Sequence, residues 1–263
     1  MKLSVLLSAM FLSDENYIDS LNITSDCVVV NQCDRECKHS LEHECIDGSK
    51  IAVTYIETKE RGLSRSRNMA IRHAQNDICI LCDNDVEYES GYERIILDAY
   101  ERNRDADAIV FFIKRPERSV PVFDKDTKMN YFSVLKIFSP EISFKKEALK
   151  DITFNEEFGA GAKYSMGEEN IFLYDLLKRH KKIVYVPVMI AKTRQEESTW
   201  FKGYTEEFFI SRGANYAAMS SWFSVILILQ FALRKKALYR DSFTTLQTIR
   251  IMFRGRGMYL SKA

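Results

Sequence analysis

Neither of the glycine-rich signatures that cradle phosphates, the P-loop and the dinucleotide GxGxxG, occurs in the 263-residue chain. After its first apolar run stands Ser8-Ala9-Met10-Phe11, where no glycine-rich, Lys- or Arg-containing loop follows. Net charge is nearly absent as well, at +1, so whole-chain charge says little. Its distribution says more. From Arg234 to Ala263 there are eight Lys or Arg against one Asp, which suggests an anionic partner for that tail, membrane or nucleic acid. The amino terminus, Met1 to Leu12, imitates a signal peptide but lacks a small-residue cleavage site before Asp14-Glu15. It reads as a buried first strand, and a cytoplasmic protein is expected. Cysteine usage agrees: Cys79 and Cys82 sit three apart in a strand reading, on opposite faces, as core packing and not as a redox pair. Cys33, Cys37, Cys45, His39 and His43 are dense enough to bind zinc. Their spacing, however, matches no standard finger or ribbon, and the segment reads as a charged loop.

What the chain does have is Asn76-Asp77-Ile78-Cys79-Ile80-Leu81-Cys82-Asp83-Asn84-Asp85. An apolar run without Gly or Pro reads as a strand buried on both faces, and two carboxylates emerge at its carboxyl end. Alternation in an extended chain would point Asp83 and Asp85 the same way, and their repulsion would be offset by a hard divalent cation such as Mg²⁺ or Mn²⁺. Further short strands are expected at residues 3–9, 27–32, 51–56, 108–113 and 131–138, with a last, edge-like one at 183–188. Helical stretches are expected between them, at 14–21, 91–103, 144–149 and 200–212. This alternation indicates a doubly wound α/β sheet, which binds ligands at the carboxyl ends of its strands.

Two more stretches carry chemistry. Gly62 to Ala74 feeds a helix that Ser64 or Ser66 could cap, and Arg65 and Arg67 near its amino terminus oppose the macrodipole unless an anion sits there. A diphosphate would satisfy both; the structural alternative is an Arg67 bridge to Asp85 or Glu60. Phe154 to Asn170 holds three glycines in nine residues, and Glu168 and Glu169 then fall in the first turn of a helix, where a carboxylate suited to general-base work is stabilised. Finally, Gly213 to Leu233 has no charge, yet Asn215, Ser220, Ser221 and Gln230 make it an interfacial or packed helix in preference to a membrane span.

Gly62 through Asn68, the strand into Asp83-Asn84-Asp85, and Phe158-Gly159-Ala160-Gly161 leading to Gly167-Glu168-Glu169-Asn170 together resemble the GT-A-fold, family 2 inverting glycosyltransferases, particularly bacterial enzymes of capsule, O-antigen or exopolysaccharide assembly. The resemblance covers residues 3 to about 190. It implies a Rossmann-like, mostly parallel central sheet flanked by helices, with a C-terminal helical extension. It also implies a nucleotide-diphosphate sugar donor, a UDP-sugar, held through Mn²⁺ or Mg²⁺ at Asp83 and Asp85. Arg65, Arg67, Asn68 and Gly161 are the remaining donor contacts, and Glu169 is the base with Glu168 as its understudy. Where many relatives carry a His after the last strand, this chain offers Lys192 and Arg194 for the leaving diphosphate. The expected acceptor is a saccharide, lipid-linked, and the basic tail then belongs on anionic lipid at the inner face of the cell membrane, with no nucleic acid partner. The expected division is a catalytic domain over 1–213, with donor half 1–100 and acceptor half 101–213, and a membrane-associating segment over 214–263. Competing readings are an idle scaffold of the same fold and a nucleotidyltransferase. The second would ordinarily show the loop that Ser8-Ala9-Met10-Phe11 lacks.

Overall fold

The computed structural model describes residues 1–194, 201 and 203–261. Its chain separates into two compact units: one holds Met1–Arg61, Arg65–Thr153 and residues 176–194, the other Gly62–Ser64, Phe154–Asp175 and the C-terminal helices.

The first unit is built on one sheet. In chain order come β1 (Leu3–Met10), α1 (Tyr17–Ser20), β2 (Asp26–Gln32), β3 (Cys37–Glu44), β4 (Lys50–Thr58), α2 (Leu63–His73), β5 (Ile78–Asp83), β6 (Val86–Tyr88), α3 (Tyr92–Arg102), β7 (Ala108–Lys114), β8 (Thr127–Lys128), β9 (Ile142–Lys145), α4 (Lys146–Leu149), α5 (Glu168–Lys178), which belongs through Asp175 to the second unit, and β10 (Ile183–Thr193). The sheet order is β3-β4-β2-β1-β5-β9-β7-β10-β6, with β8 beside β10. Strands β4, β2, β1 and β5 run parallel, as do β7 and β10; β3, β6, β8 and β9 pair antiparallel. The α/β class is as expected, and β5 is an inner strand with Ile78 through Cys82 buried, as continuous apolar runs in parallel sheets are. Cys79 and Cys82 are both buried free thiols, in keeping with a packing role.

Several expectations are corrected here. Residues 37–44 are not a loop: alternating exposure lets this charged segment serve as edge strand β3, where its polar side chains face water and discourage further pairing. Residues 131–138 are not a strand. The Asn130 side chain accepts from the N–H groups of Phe132 and Ser133, which turns the chain into short 3-10 segments at Ser133–Lys136 and Ser139–Glu141. Only 146–149 of the expected 144–149 helix is helical, because Phe144 and Lys145 complete β9 between β5 and β7. The helix expected over 14–21 is a single turn, α1. Strand β10 is interior, between β7 and β6, and tolerates Pro187 at the register shift between Tyr185 and Met189 where no ladder bond is needed.

The second unit packs α6 (Glu206–Met219), α7 (Ser224–Arg234), α8 (Lys236–Tyr239) and α9 (Thr245–Leu260) around the segment 154–175. Helix α6 starts at Glu206, capped by Thr205, so the expected start at Trp200 lies outside the described residues. Helices α6 and α9 meet backbone to backbone: a Cβ at Gly213 would lie 1.9 Å from the Met252 carbonyl oxygen, and one at Gly255 2.1 Å from that of Ile210. Position 213/214, expected as a domain boundary, therefore falls inside a packed helix. The charge-free stretch is also broken, since α6 ends at Met219 and α7 begins at Ser224. Among the described residues no helix is long and apolar enough to cross a membrane.

Candidate active site

In the first unit, β5 delivers Asp83 to the carboxyl end of the parallel strands, and a two-residue turn at Asn84 and Asp85 leads into β6. Strand alternation is thus not what presents Asp85; the turn is. It is pinned from both sides: the Tyr17 hydroxyl donates to the Asn84 carbonyl at 2.7 Å, and the Arg194 N–H donates to the Asp85 carbonyl at 2.8 Å. Arg67 on α2 is buried, 1% exposed, and its Nη2 donates to Asp83 Oδ1 at 3.0 Å. Arg67 thus makes a bridge to Asp83, a partner not expected for it from the sequence. Burial and, after it, the neighbouring Asp83 charge push the Asp85 carboxyl above its usual range. These two neighbouring carboxylates, with the buried Arg67 guanidinium against Asp83, form a hard-oxygen donor set that fits a divalent cation.

The other expected donor contacts are distributed as follows. Arg65 is exposed on α2, while Asn68 is buried there. Ser64 and Ser66 do not cap the helix, which starts at Leu63: the Ser64 hydroxyl donates to the Phe158 carbonyl at 2.7 Å, and the Ser66 hydroxyl to Ser8 Oγ at 2.9 Å. Lys192 and Arg194 stand at the end of β10 opposite β6, each in a salt bridge to Glu87, at 3.2 and 3.0 Å. Those two cations hold the Glu87 carboxyl below its usual range. Glu87 was not among the expected site residues; its place one step beyond the acidic turn was the available signal.

In the second unit, the glycine loop is shaped around the start of α5. The Leu63 N–H donates to the Ala160 carbonyl, and a Cβ at Gly161, whose φ is +76°, would lie 3.5 Å from Gly62 Cα. Gly159 has φ +104°, and a side chain there would meet the Glu168 carboxylate at 3.3 Å. Glu168 is buried and Glu169 half-buried in the first turn of α5. Asn215 on α6, 0% exposed, donates from Nδ2 to the Gly167 carbonyl at 2.8 Å, just before that turn. Sequence reading noted Asn215 only as lowering the apolarity of its stretch. An amide in an uncharged run was the clue that it has a buried partner.

An acidic turn at the carboxyl edge of a parallel sheet, an arginine-bearing helix and a glycine loop opening an acidic helix define a GT-A-fold protein. The chain belongs to glycosyl transferase family 2, whose family model matches residues 22–164. Among solved structures it is similar to S. aureus TarS residues 1–349 in complex with UDP-GlcNAc, with a TM-score of 0.63 and 15% identity over 99% of this chain and 81% of that one. The same protein in complex with UDP gives a TM-score of 0.61 and 13% identity over 99% and 88%. A longer TarS chain gives 0.60 and 15%, with 44% of its length covered. At such identity the likeness is one of fold. Comparison with curated protein sequences yields no match.

Proposed function

We propose that this protein transfers a sugar from a nucleoside-diphosphate donor, UDP-linked as in the TarS complexes, to a saccharide acceptor, with inversion at the anomeric carbon. The observation that carries the reading is the paired Asp83 and Asp85 at the sheet edge with Arg67 buried behind them. These two carboxylates would hold Mn²⁺ or Mg²⁺, which when bound supplies charge neutralisation for a leaving diphosphate. Arg67 orients Asp83 through its Nη2 hydrogen bond. Arg65, at the exposed start of α2, and Lys192 and Arg194, which pair with Glu87, are the cations assigned to phosphate oxygens. Asn68 and the bare backbone at Gly161 complete the donor contacts. Glu169 accepts the proton of the acceptor hydroxyl as the new bond forms, with Glu168, more deeply buried, shaping that helix end.

The acceptor in this reading is lipid-linked, in cell-surface polysaccharide assembly, and the protein works on the inner membrane face. Support comes from α7 and the turn before it: Trp222 in that turn and Ile226, Leu229 and Leu233 on the helix are 78, 47, 41 and 66% exposed, at the spacing of one helix face. Arg234, Lys235 and Lys236 follow directly, which suits a helix lying in an anionic interface.

The decisive experiment is Glu169→Gln. A base that touches only the acceptor contributes about 10²–10⁴-fold to rate and little to donor affinity, so the variant should bind donor normally and transfer slowly. The parent's product should carry an inverted anomeric centre. Retention of configuration excludes direct displacement, and unimpaired transfer by the variant removes Glu169 from the role; a dead Glu168→Gln would move the base by one residue.

A further inference from the structure

We propose that Asp19, His43 and Cys45 form a second metal site, separate from Asp83 and Asp85, that takes Zn²⁺ with a water in its fourth position. One ligand atom from each of the three lies within 4.8 Å of the other two. His43, near the end of β3, and Cys45, the first residue beyond it, are two apart and both buried. A tight turn fixes their spacing: the Cys45 N–H donates to the Ser49 carbonyl and the Gly48 N–H to that of Cys45, both at 2.8 Å. Asp19 comes from α1, and its Oδ1 already lies 2.8 Å from His43 Nε2.

The surroundings fit an ion. His43 and Cys45 are buried, and the Asp19 side chain is 23% exposed. A cavity of about 390 Å³ opens at Asp19 and His43, and Glu15, Glu42 and Glu44 at its wall give it an acidic entrance. Asp19 and His43 satisfy one another, while the Cys45 thiol donates to the Ile23 carbonyl at 3.5 Å. Ligation at about 2.0–2.3 Å requires that the sulfur turn toward the other two and that the Asp19–His43 pair, at 2.8 Å, open to the spacing of tetrahedral ligands. A thiolate, an imidazole and a carboxylate select zinc over the hard cations suited to Asp83 and Asp85. Binding converts the thiol to thiolate and releases its proton to solvent. The clip would fasten α1 to the β3–β4 hairpin, and Tyr17, two residues from Asp19, is the residue that holds the Asn84 turn.

The full-length protein can be titrated with Co²⁺ as a spectroscopic stand-in, followed by Zn²⁺. The expected result is one equivalent of Co²⁺ with a thiolate-to-metal charge-transfer band that Zn²⁺ abolishes, and a melting temperature that Zn²⁺ raises. Cys45→Ser should lose the band and Asp85→Ala should keep it. Asp19→Asn retains an oxygen facing His43, hence the fold, and should weaken Co²⁺ binding roughly tenfold or more. No band in the parent overturns the proposal, as does a band that survives Cys45→Ser, which would place the metal on Cys33 or Cys37. Unchanged affinity in Asp19→Asn removes the carboxylate from the site and overturns it equally.

Discussion

Replacing Gly167 by Ala sets a methyl group against the amide that holds the start of α5. Two costs follow from the geometry. Gly167 has φ +84°, and an L-residue in that left-handed region is destabilised by about 1–2 kcal/mol. The new Cβ would also lie 2.3 Å from Asn215 Nδ2 and 2.5 Å from its Cγ, and such overpacking costs about 1–3 kcal/mol. Gly167→Ala should therefore destabilise the fold by about 2–5 kcal/mol. Asn215→Ala removes the donor to the buried Gly167 carbonyl and should cost about 1–3 kcal/mol. Combining them separates the two causes, because the double variant keeps the backbone strain and the lost hydrogen bond but has no clash. It should be about as stable as Gly167→Ala alone, with a coupling of about 1–3 kcal/mol relative to additivity. Urea denaturation of the four proteins measures this directly. Strictly additive losses would refute the packing argument and leave backbone conformation as the whole effect.

Three further outcomes are expected. Asp85→Ala should abolish Mn²⁺-dependent binding of nucleoside diphosphate with the far-UV circular dichroism unchanged, and retained metal-dependent binding in calorimetry would dismiss the assignment. Trp222→Ser with Leu233→Ser, both well exposed, should release the protein from anionic liposomes at low salt without loss of stability. These point changes serve better than deleting residues 214–263, which would strip Asn215 from Gly167. Glu141 is wholly buried, and burial raises its carboxyl pKa despite the opposing Arg118 and the Phe138 N–H. The native state then keeps a proton that the unfolded chain has released, so stability should fall as pH climbs from the ordinary glutamate range toward the raised native value. Glu141→Gln should flatten that slope; a parent whose stability rises over the same interval would show the sign to be wrong.

Local chemistry made much of this protein readable from its sequence. The run Ile78 to Cys82 could only be an inner strand, because an uninterrupted apolar segment of that length must be covered on both faces. The carboxylates after it, the arginines opening α2 and the glycines before α5 announced themselves by residue type, since each is costly without a ligand, a partner or a special backbone angle. What tertiary structure alone decided were the pairings over long separations. Arg67 on α2 met Asp83 at the end of β5, and a turn, where alternation expected strand, carries Asp85. Lys192 and Arg194 met Glu87 through the register of β10 with β6. Residues 37–44 became a strand only because β4 offered an open edge, and that pairing is what brings His43, with Cys45 just beyond it, to Asp19. Such contacts depend on which strand lies beside which, a choice made by the whole core and carried by no single segment.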